Sequence, residues 1–245
     1  MTDPSVYDEA AIGAYDLVSS MLSPGDGLVA WVSSHRPLAG ADVLDLGAGT
    51  GVSSFALADA GARVVAVDAS RPSLDLLADR RGEREVDAVE GDFRDLRLDS
   101  RFDIVTLSRN TFFLAQSQDE KIALLQVVER HLRPGGTAFL DCTDPAEYLR
   151  AGGDAASVTY PLGRERMVTI TQTADRAAQA VMSIFLVQGA TELTAFHELA
   201  TWATLPEIRL MARLAGLSVT GVNGSYAGEE YNARSREMLV VLERK

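Results

Sequence analysis

Short apolar stretches alternate with helical patterns from about residue 40 to residue 142, and this alternation limits the fold more than any other feature. The apolar stretches are Asp42–Leu46, Ala62–Val67, Val86–Val89, Ile104–Leu107 and Thr137–Asp141, and the helical patterns between them include Val52–Asp59, Pro72–Arg80 and Glu120–Leu132. Strands that alternate with helices form parallel sheets covered on both faces, and their crossovers are right-handed. We therefore predict an α/β fold with an open, doubly wound sheet.

The regions on either side of this segment have different patterns. Two helices are predicted before residue 40, at Glu9–Met21 and Gly27–Ser34. Alternating apolar and polar residues after residue 155 predict an antiparallel meander of four strands, Ser157–Tyr160, Arg166–Thr173, Ala180–Val187 and Leu193–Trp202. A helix that begins near Thr204 and ends at Gly216 follows, and then two final strands, Ser218–Val222 and Met238–Leu242.

Composition excludes several classes of protein. The net charge of −12 disfavours a nucleic-acid substrate, because proteins held to phosphates carry basic surfaces. The single cysteine, Cys142, rules out an internal disulfide and a cysteine-based zinc cage, and no cluster of histidines and carboxylates suggests another metal site. No apolar run is long enough to span a bilayer, and the first residues do not resemble a signal peptide. We expect a cytoplasmic protein.

A glycine-rich turn, Asp45-Leu46-Gly47-Ala48-Gly49-Thr50-Gly51, joins the first strand of the alternating segment to its helix. Glycine tolerates positive φ and lets a ligand approach the backbone, and the N-terminus of the following helix favours anions. A dinucleotide-binding turn would have the spacing G-x-G-x-x-G, but Val52 occupies the place of the third glycine. The spacing therefore argues against NAD without identifying another ligand.

Acidic residues follow the next two strands. Asp68 ends the second strand and either accepts both hydroxyls of a ribose or is simply a carboxylate at a strand end. Asp92 and Phe93 follow the third strand. They either contact an adenine ring or serve as a turn former and a core aromatic.

The blocks VLDLGAGTG, VVAVDAS, EGDFRDL, FDIVTL and HLRPGGTAFL occur in order across residues 43–142. This series resembles the class I S-adenosylmethionine-dependent methyltransferases. The resemblance implies a Rossmann-like sheet of seven strands whose last strand, Met238–Leu242, is antiparallel. It also implies S-adenosylmethionine as the cofactor and S-adenosylhomocysteine as its product.

The resemblance implies a role for each matching residue. The methionine portion of the cofactor would lie against Gly47, Ala48 and Gly49, in a loop that Asp45 orients. Asp68, followed by Ala69, would bind the ribose. The adenine would meet Asp92 and Phe93, and the sulfonium would lie beside Ser108.

The opening tyrosines, the meander and the tail Tyr231–Arg236 resemble small-molecule methyltransferases, in particular those that dimethylate amino groups of antibiotic deoxysugars. This resemblance implies one methyltransferase domain in three parts. Residues 1–39 would form a helical lid, residues 40–150 and 203–245 the cofactor-binding core, and residues 155–202 an inserted β subdomain.

Five residues are candidates for the lid and the acceptor site. Tyr7 and Tyr15 either cover the cofactor and the substrate or pack as ordinary helix residues. Asn110, Phe112 and Phe113 follow the fourth strand at the edge of the sheet where ligands bind to open α/β folds. For both phenylalanines, packing in the core is the alternative.

One histidine is a candidate general base. Alternation along Leu193–Trp202 places His197 on the same strand face as Leu193, Ala195 and Leu199. A histidine on such a face is either a base directed into the site or a core residue with satisfied hydrogen bonds.

The predicted function is methyl transfer to a nitrogen or oxygen atom of a small molecule, a natural-product intermediate of the antibiotic type. The alternatives are a methyltransferase that acts on RNA or protein and a relative that binds the cofactor without methylating. We expect a small-molecule acceptor, no metal, no nucleic acid and no membrane. A homodimer is compatible with the meander, which is either a lid or a dimer surface.

Overall fold

A seven-stranded sheet forms the centre of the fold in the computed structural model, which describes residues 9–22, 25–150 and 155–245. The strand order is β10-β11-β5-β4-β1-β2-β3. The bounds are β1 Asp42–Leu46, β2 Arg63–Asp68, β3 Val86–Glu90, β4 Phe102–Leu107, β5 Leu132–Thr143, β10 Leu217–Asn223 and β11 Glu237–Arg244. Strand β11 runs antiparallel to both β5 and β10. The predicted α/β fold with an antiparallel last strand is confirmed.

Eight helices are present in the described ranges. They are α1 Glu9–Leu22, α2 Asp26–His35, α3 Val52–Asp59, α4 Arg71–Arg80, α5 Thr111–Leu114, α6 Gln118–His131, α7 Pro145–Arg150 and α8 Leu205–Leu214. The sequence patterns had indicated all of them except α5 and α7, which are short and have no room for a helical periodicity. No helix in these ranges is both long and apolar enough to cross a membrane.

Alternate residues of the central strands pack on opposite faces of the sheet. Val43 and Ile104 belong to the apolar cluster that includes Trp31 of α2. Leu44 and Val105 belong to the other cluster, together with buried residues of α6 and α8. Because both faces are covered, the strands are apolar throughout, as parallel sheets require.

A separate antiparallel sheet contains β6 Ala156–Leu162, β7 Arg166–Asp175, β8 Ala180–Gln188 and β9 Leu193–Thr201, paired in chain order. This confirms the predicted meander. One face packs against α1, where Ala14 and Val18 join Val168 and Phe196 in a third apolar cluster. The opposite face is exposed and includes Ile184.

Candidate active site

The glycine-rich turn lies against the end of the neighbouring strand β2. Gly47 and Gly49 have φ values of +70° and +55°, and the backbone N–H groups of Gly47 and Ala48 both donate to the carbonyl of Val67, at 2.8 and 3.0 Å. A Cβ atom on Gly47 would lie 2.5 Å from Cγ2 of Thr111. Positive φ and this close approach together require glycine at position 47.

Asp68 joins two turns at the carboxyl edge of the sheet. Its Oδ2 accepts a hydrogen bond from the N–H of Gly49 at 2.7 Å, and its Oδ1 accepts one from the N–H of Ser70 at 2.8 Å. Burial raises the pKa of the carboxyl, and the backbone hydrogen bonds oppose that shift. A carboxylate oxygen accepts more than one hydrogen bond, so Asp68 retains capacity for a polar ligand.

Asp45 lies beneath the turn and does not line the cavity that the turn borders, although the sequence had grouped it with the cofactor-binding residues. Its carboxylate is fully buried and accepts hydrogen bonds from Ser54 of α3 at 2.6 Å and Thr106 of β4 at 2.8 Å. Burial raises its pKa to about 6. Asp45 therefore connects β1 to α3 and β4, which agrees with a role in orienting the loop.

Asp92 is paired with Arg94. The backbone N–H and the guanidinium of Arg94 both donate to its carboxylate and hold the pKa of Asp92 below its usual value. Asp92, Phe93 and Arg94 all line the cavity beside the glycine-rich turn. Arg94 thus occupies part of the hydrogen-bonding capacity predicted for an adenine.

The backbone after β4 adopts an unusual conformation. Arg109 and Asn110 both have left-handed φ, at 58° and 65°, which is costly for residues other than glycine. The N–H of Arg109 donates to Oδ2 of Asp141 at 3.0 Å, and the N–H of Asn110 donates to the carbonyl of the same residue at 2.9 Å. The Asn110 side chain exchanges hydrogen bonds with Thr143. Such strain, held by neighbouring groups, is typical of functional turns.

These strand ends border one elongated cavity. Ser108 contributes its hydroxyl, which lies 2.8 Å from that of Ser53. Nine residues predicted from the sequence line this first cavity: Tyr15, Gly47, Ala48, Gly49, Asp68, Ala69, Asp92, Phe93 and Ser108.

A second cavity of about 450 Å³ lies between the sheet edge and the inner face of the meander. Four residues line both cavities: Tyr15, Ser19, Arg109 and Glu198. The meander side of the remaining lining is mostly apolar, with polar residues among the apolar ones, and the sheet side combines carboxylates with neutral polar residues. The apolar residues include Val158, Ile170, Val181, Phe185 and Phe196, and the polar residues of the meander are Tyr160, Gln172 and Ser183.

Three carboxylates form the acidic side of the second cavity. Asp141 is buried, with its pKa raised by burial, and Glu237 has a pKa raised to about 7 by burial and by the charges of Asp141 and Glu147. Glu147 lines the same wall. Burial therefore favours the neutral forms of these acids in the free enzyme, and a cation bound beside them would favour their ionised forms.

Two further predictions are wrong in placement. Phe112 and Phe113 are fully buried in the core and line neither cavity, so the alternative of core packing holds for both. His197 is on the exposed face of β9 and also lines neither cavity. The inward face of that strand carries Phe196 and Glu198 instead, so the geometry does not support His197 as a general base.

The remaining predictions concern Asn110, the two tyrosines and the absence of a metal. Asn110 lines the second cavity, and Tyr15 lies at the junction of the two. Tyr7 lies outside the described residues. Within the described ranges, no group of three or more histidine, cysteine or carboxylate residues is arranged to hold a metal ion.

Sequence reasoning missed Arg109, Asp141, Glu198 and Glu237. Two of them had a detectable signal. Asp141 lies two residues before the end of β5, at the same sheet edge as Asp68, and Glu198 lies on the opposite face of β9 from the adjacent His197. Glu237 begins a strand near the end of the chain, far in sequence from the other site residues, so no neighbouring motif identifies it.

The fold and the first cavity define a class of enzyme. The chain matches the methyltransferase domain family over residues 43–136. It is 80% identical over all 245 residues, and over the full length of the relative, to the cypemycin N-terminal methyltransferase of a Streptomyces species. The chain belongs to the S-adenosylmethionine-dependent methyltransferases.

Solved structures agree with this assignment. The CcbJ methyltransferase from Streptomyces caelestis superposes with a TM-score of 0.86 at 28% identity, over 99% of each chain. The amino pentose methyltransferase CalS10 from Micromonospora echinaspora, solved with its cofactor, superposes with a TM-score of 0.70 at 23% identity, over 95% of each chain. The second likeness is one of fold.

The first cavity fits the cofactor on its own geometry. The glycine-rich turn presents backbone without side chains, Asp68 offers a carboxylate suited to ribose hydroxyls, and Phe93 offers an aromatic surface. When bound, S-adenosylmethionine supplies an activated methyl group on a sulfonium. The chain's residues orient the reactants and exclude water.

Proposed function

We propose that this enzyme methylates the N-terminal amino group of a peptide natural product. The observation that carries the proposal is the second cavity, which adjoins the cofactor cavity and combines an acidic side with an apolar side. An N-terminal amine with a pKa of about 7.7–8.0 is largely cationic near neutral pH, and carboxylates attract it.

The charges around the cavity favour an amine over an anionic acceptor. Asp141, Glu147, Glu198 and Glu237 line it, and Arg109 is the one basic residue among its lining residues in the described chain. The Arg109 guanidinium donates to the carbonyl of Ser19 at 2.8 Å. A phosphate or carboxylate on the acceptor would therefore meet net negative charge.

The apolar side suits the side chains next to a peptide N-terminus. Phe185 and Phe196 stack at 4.6 Å between ring centroids with an interplanar angle of 8°, which gives this wall a flat and ordered surface. Apolar groups that leave water for this surface contribute roughly 25 cal/mol per Å² buried.

The relative that is 80% identical supports the same acceptor, since its name describes a methyltransferase that acts on the N-terminus of cypemycin. This acceptor sharpens the sequence prediction, which left nitrogen and oxygen open and favoured a small molecule.

The experiment compares three short peptides of one sequence, with a free N-terminal amine, an acetylated N-terminus, or a hydroxyl in place of the amine. Each is incubated with enzyme and S-adenosylmethionine and analysed by tandem mass spectrometry. We expect methylation of the free amine alone, at the first residue. Transfer to the hydroxyl peptide, or to internal side chains of the acetylated peptide, would contradict the proposal.

We also propose several further features that the sequence predicted. They are a lid formed by residues 1–39, an inserted β subdomain at 155–202, a cytoplasmic location, no nucleic-acid or membrane partner, and a homodimer.

A further inference from the structure

The two cavities meet at Tyr15, Ser19, Arg109 and Glu198. An acceptor held in the second cavity would reach the first by way of this junction, so these four side chains are placed to contact its reacting group. Of the four, Glu198 is the one that carries a negative charge. It therefore differs from the other carboxylates of the second cavity, which do not line the first.

The position of Glu198 is fixed by the inner face of the meander. Phe196, two residues earlier on the same face, is buried, stacks on Phe185 and meets the edge of the Tyr15 ring at 5.9 Å between centroids. Ala200, two residues later, is also buried. Because strand residues alternate between faces, packing of these two neighbours directs Glu198 into the cavity.

The strand that carries Glu198 is also tied to the core beside it. The amide of Gln116 donates to the carbonyl of Leu199 at 2.8 Å. The hydroxyl of Thr201 donates to the carbonyl of Ala115 at 2.8 Å and accepts a hydrogen bond from the ammonium of Lys121 at 2.7 Å. These contacts hold this end of β9 against the core, which suits it to keep a side chain in register with the cofactor cavity.

The charged groups of the junction act on the Tyr15 phenol. Burial raises the pKa of the Tyr15 phenol, the charge of Arg109 opposes the shift, and the charges of Glu198 and Asp68 add to it. A cation placed among these groups is attracted by the Glu198 carboxylate and repelled by Arg109.

We propose that Glu198 is the specificity-determining residue that binds the acceptor's protonated amino group at the junction and positions its nitrogen. The ammonium loses a proton to solvent before transfer, and its lone pair then forms the bond to the methyl carbon as the bond from that carbon to sulfur breaks, with S-adenosylhomocysteine as the leaving group. This inference rests on the proposed function, because it requires an amine acceptor. The carboxylate selects a charged amine against a neutral hydroxyl of the same size, since a hydrogen bond to a charged group is stronger.

The test compares Glu198→Gln with His197→Gln, an adjacent change on the exposed face of the same strand. For Glu198→Gln we expect the KM of the amine peptide to rise by about tenfold or more, as for other losses of a hydrogen bond between charged groups. Its kcat should change less, and Glu198→Asp should recover part of the KM. His197→Gln should stay within about twofold of wild type.

Titration calorimetry with S-adenosylmethionine and S-adenosylhomocysteine completes the test. We expect both affinities to be unchanged in Glu198→Gln. An unchanged acceptor KM would overturn the inference, as would weaker binding of S-adenosylmethionine but not of S-adenosylhomocysteine, which would place Glu198 against the sulfonium. If wild type ignores the amine peptide, the proposed function fails as well; if wild type methylates it and Glu198→Gln equals wild type, this inference fails alone.

Discussion

The two cavities of this enzyme are built in different ways. The first is called the cofactor side, and the second, where we propose that the acceptor binds, is called the acceptor side. The cofactor side uses the ends of β1, β2 and β4, buried strands of one parallel sheet, and its polar atoms are held by backbone hydrogen bonds, as in Asp68 with Gly49. The acceptor side brings together β9, β11 and α1, which are far apart in the chain, and gathers carboxylates whose pKa values are raised. We expect the first side to tolerate few substitutions and the second to vary with the acceptor.

The largest effect is expected at the cofactor side. In Gly47→Ala, the new Cβ would lie 2.5 Å from Thr111 at a φ of +70°. Overpacking and left-handed strain together predict S-adenosylmethionine binding weakened by about 100-fold, measured by calorimetry. Gly135→Ala is the control, because Gly135 has a φ of +76° and open space around it. If both variants bind equally, close packing of the turn is not what forms the cofactor site.

A smaller loss of cofactor affinity is expected for Asp68→Asn. This change removes the negative charge from the side chain that accepts hydrogen bonds from Gly49 and Ser70. We expect cofactor affinity to fall by about tenfold, the usual effect of weakening hydrogen bonds to a carboxylate. Asp92→Asn should cost less, since Arg94 already neutralises that carboxylate. If Asp92→Asn weakened cofactor binding more than Asp68→Asn in the same titrations, the contacts at the adenine would contribute more to affinity than those at the ribose.

On the acceptor side, the pH dependence of the free energy of unfolding should show how much the clustered carboxylates destabilise the folded protein. Glu237 has a pKa near 7, above its ordinary 4.5, so its contribution to stability is fully present below pH 4.5 and is lost as the pH rises to 7. Glu237→Gln should therefore be more stable than wild type at pH 8 by about 1 kcal/mol, after allowance for screening by water.

Denaturant unfolding at pH 5 and pH 8 measures this difference. Glu243→Gln, an exposed position on the same strand, is the control and should show no such gain. If Glu237→Gln and wild type were equally stable at pH 8, the ionised Glu237 carboxylate would not destabilise this wall of the cavity.

The smallest effect is expected at His197, whose side chain is on the outer face of the meander. His197→Ala should leave kcat/KM within about twofold of wild type across the pH range. If the variant instead lost activity in a pH range set by the titration of a histidine, His197 would take part in the reaction. The two faces of β9 would then not differ in function as described.

Sequence reasoning grouped the residues that line the first cavity because the information that places them is local. Each of Gly47, Asp68 and Ser108 follows a strand that its own apolar run identifies, and parallel strands bring their carboxyl ends to one edge. The sequence did not decide whether Phe112 lines the site or packs in the core, and the left-handed conformations of Arg109 and Asn110 just before it have no signature in those residue types.

The acceptor side was predicted poorly because alternation does not say which face of a strand is covered. Leu193 and Leu199 on one face of β9 are as apolar as Phe196 and Ala200 on the other. Packing against α1, a long-range contact, decides between them, and so His197 was preferred to Glu198.

A crystal structure of the enzyme with S-adenosylhomocysteine and a short peptide bearing a free N-terminal amine tests the central claim most directly. We predict the adenosine portion beside Asp68 and Phe93, and the peptide's terminal nitrogen within hydrogen-bonding distance of Glu198, with its first side chain against Phe185 and Phe196. A peptide bound on the outer face beside His197, or one whose nitrogen enters the junction without contacting Glu198, would contradict the account.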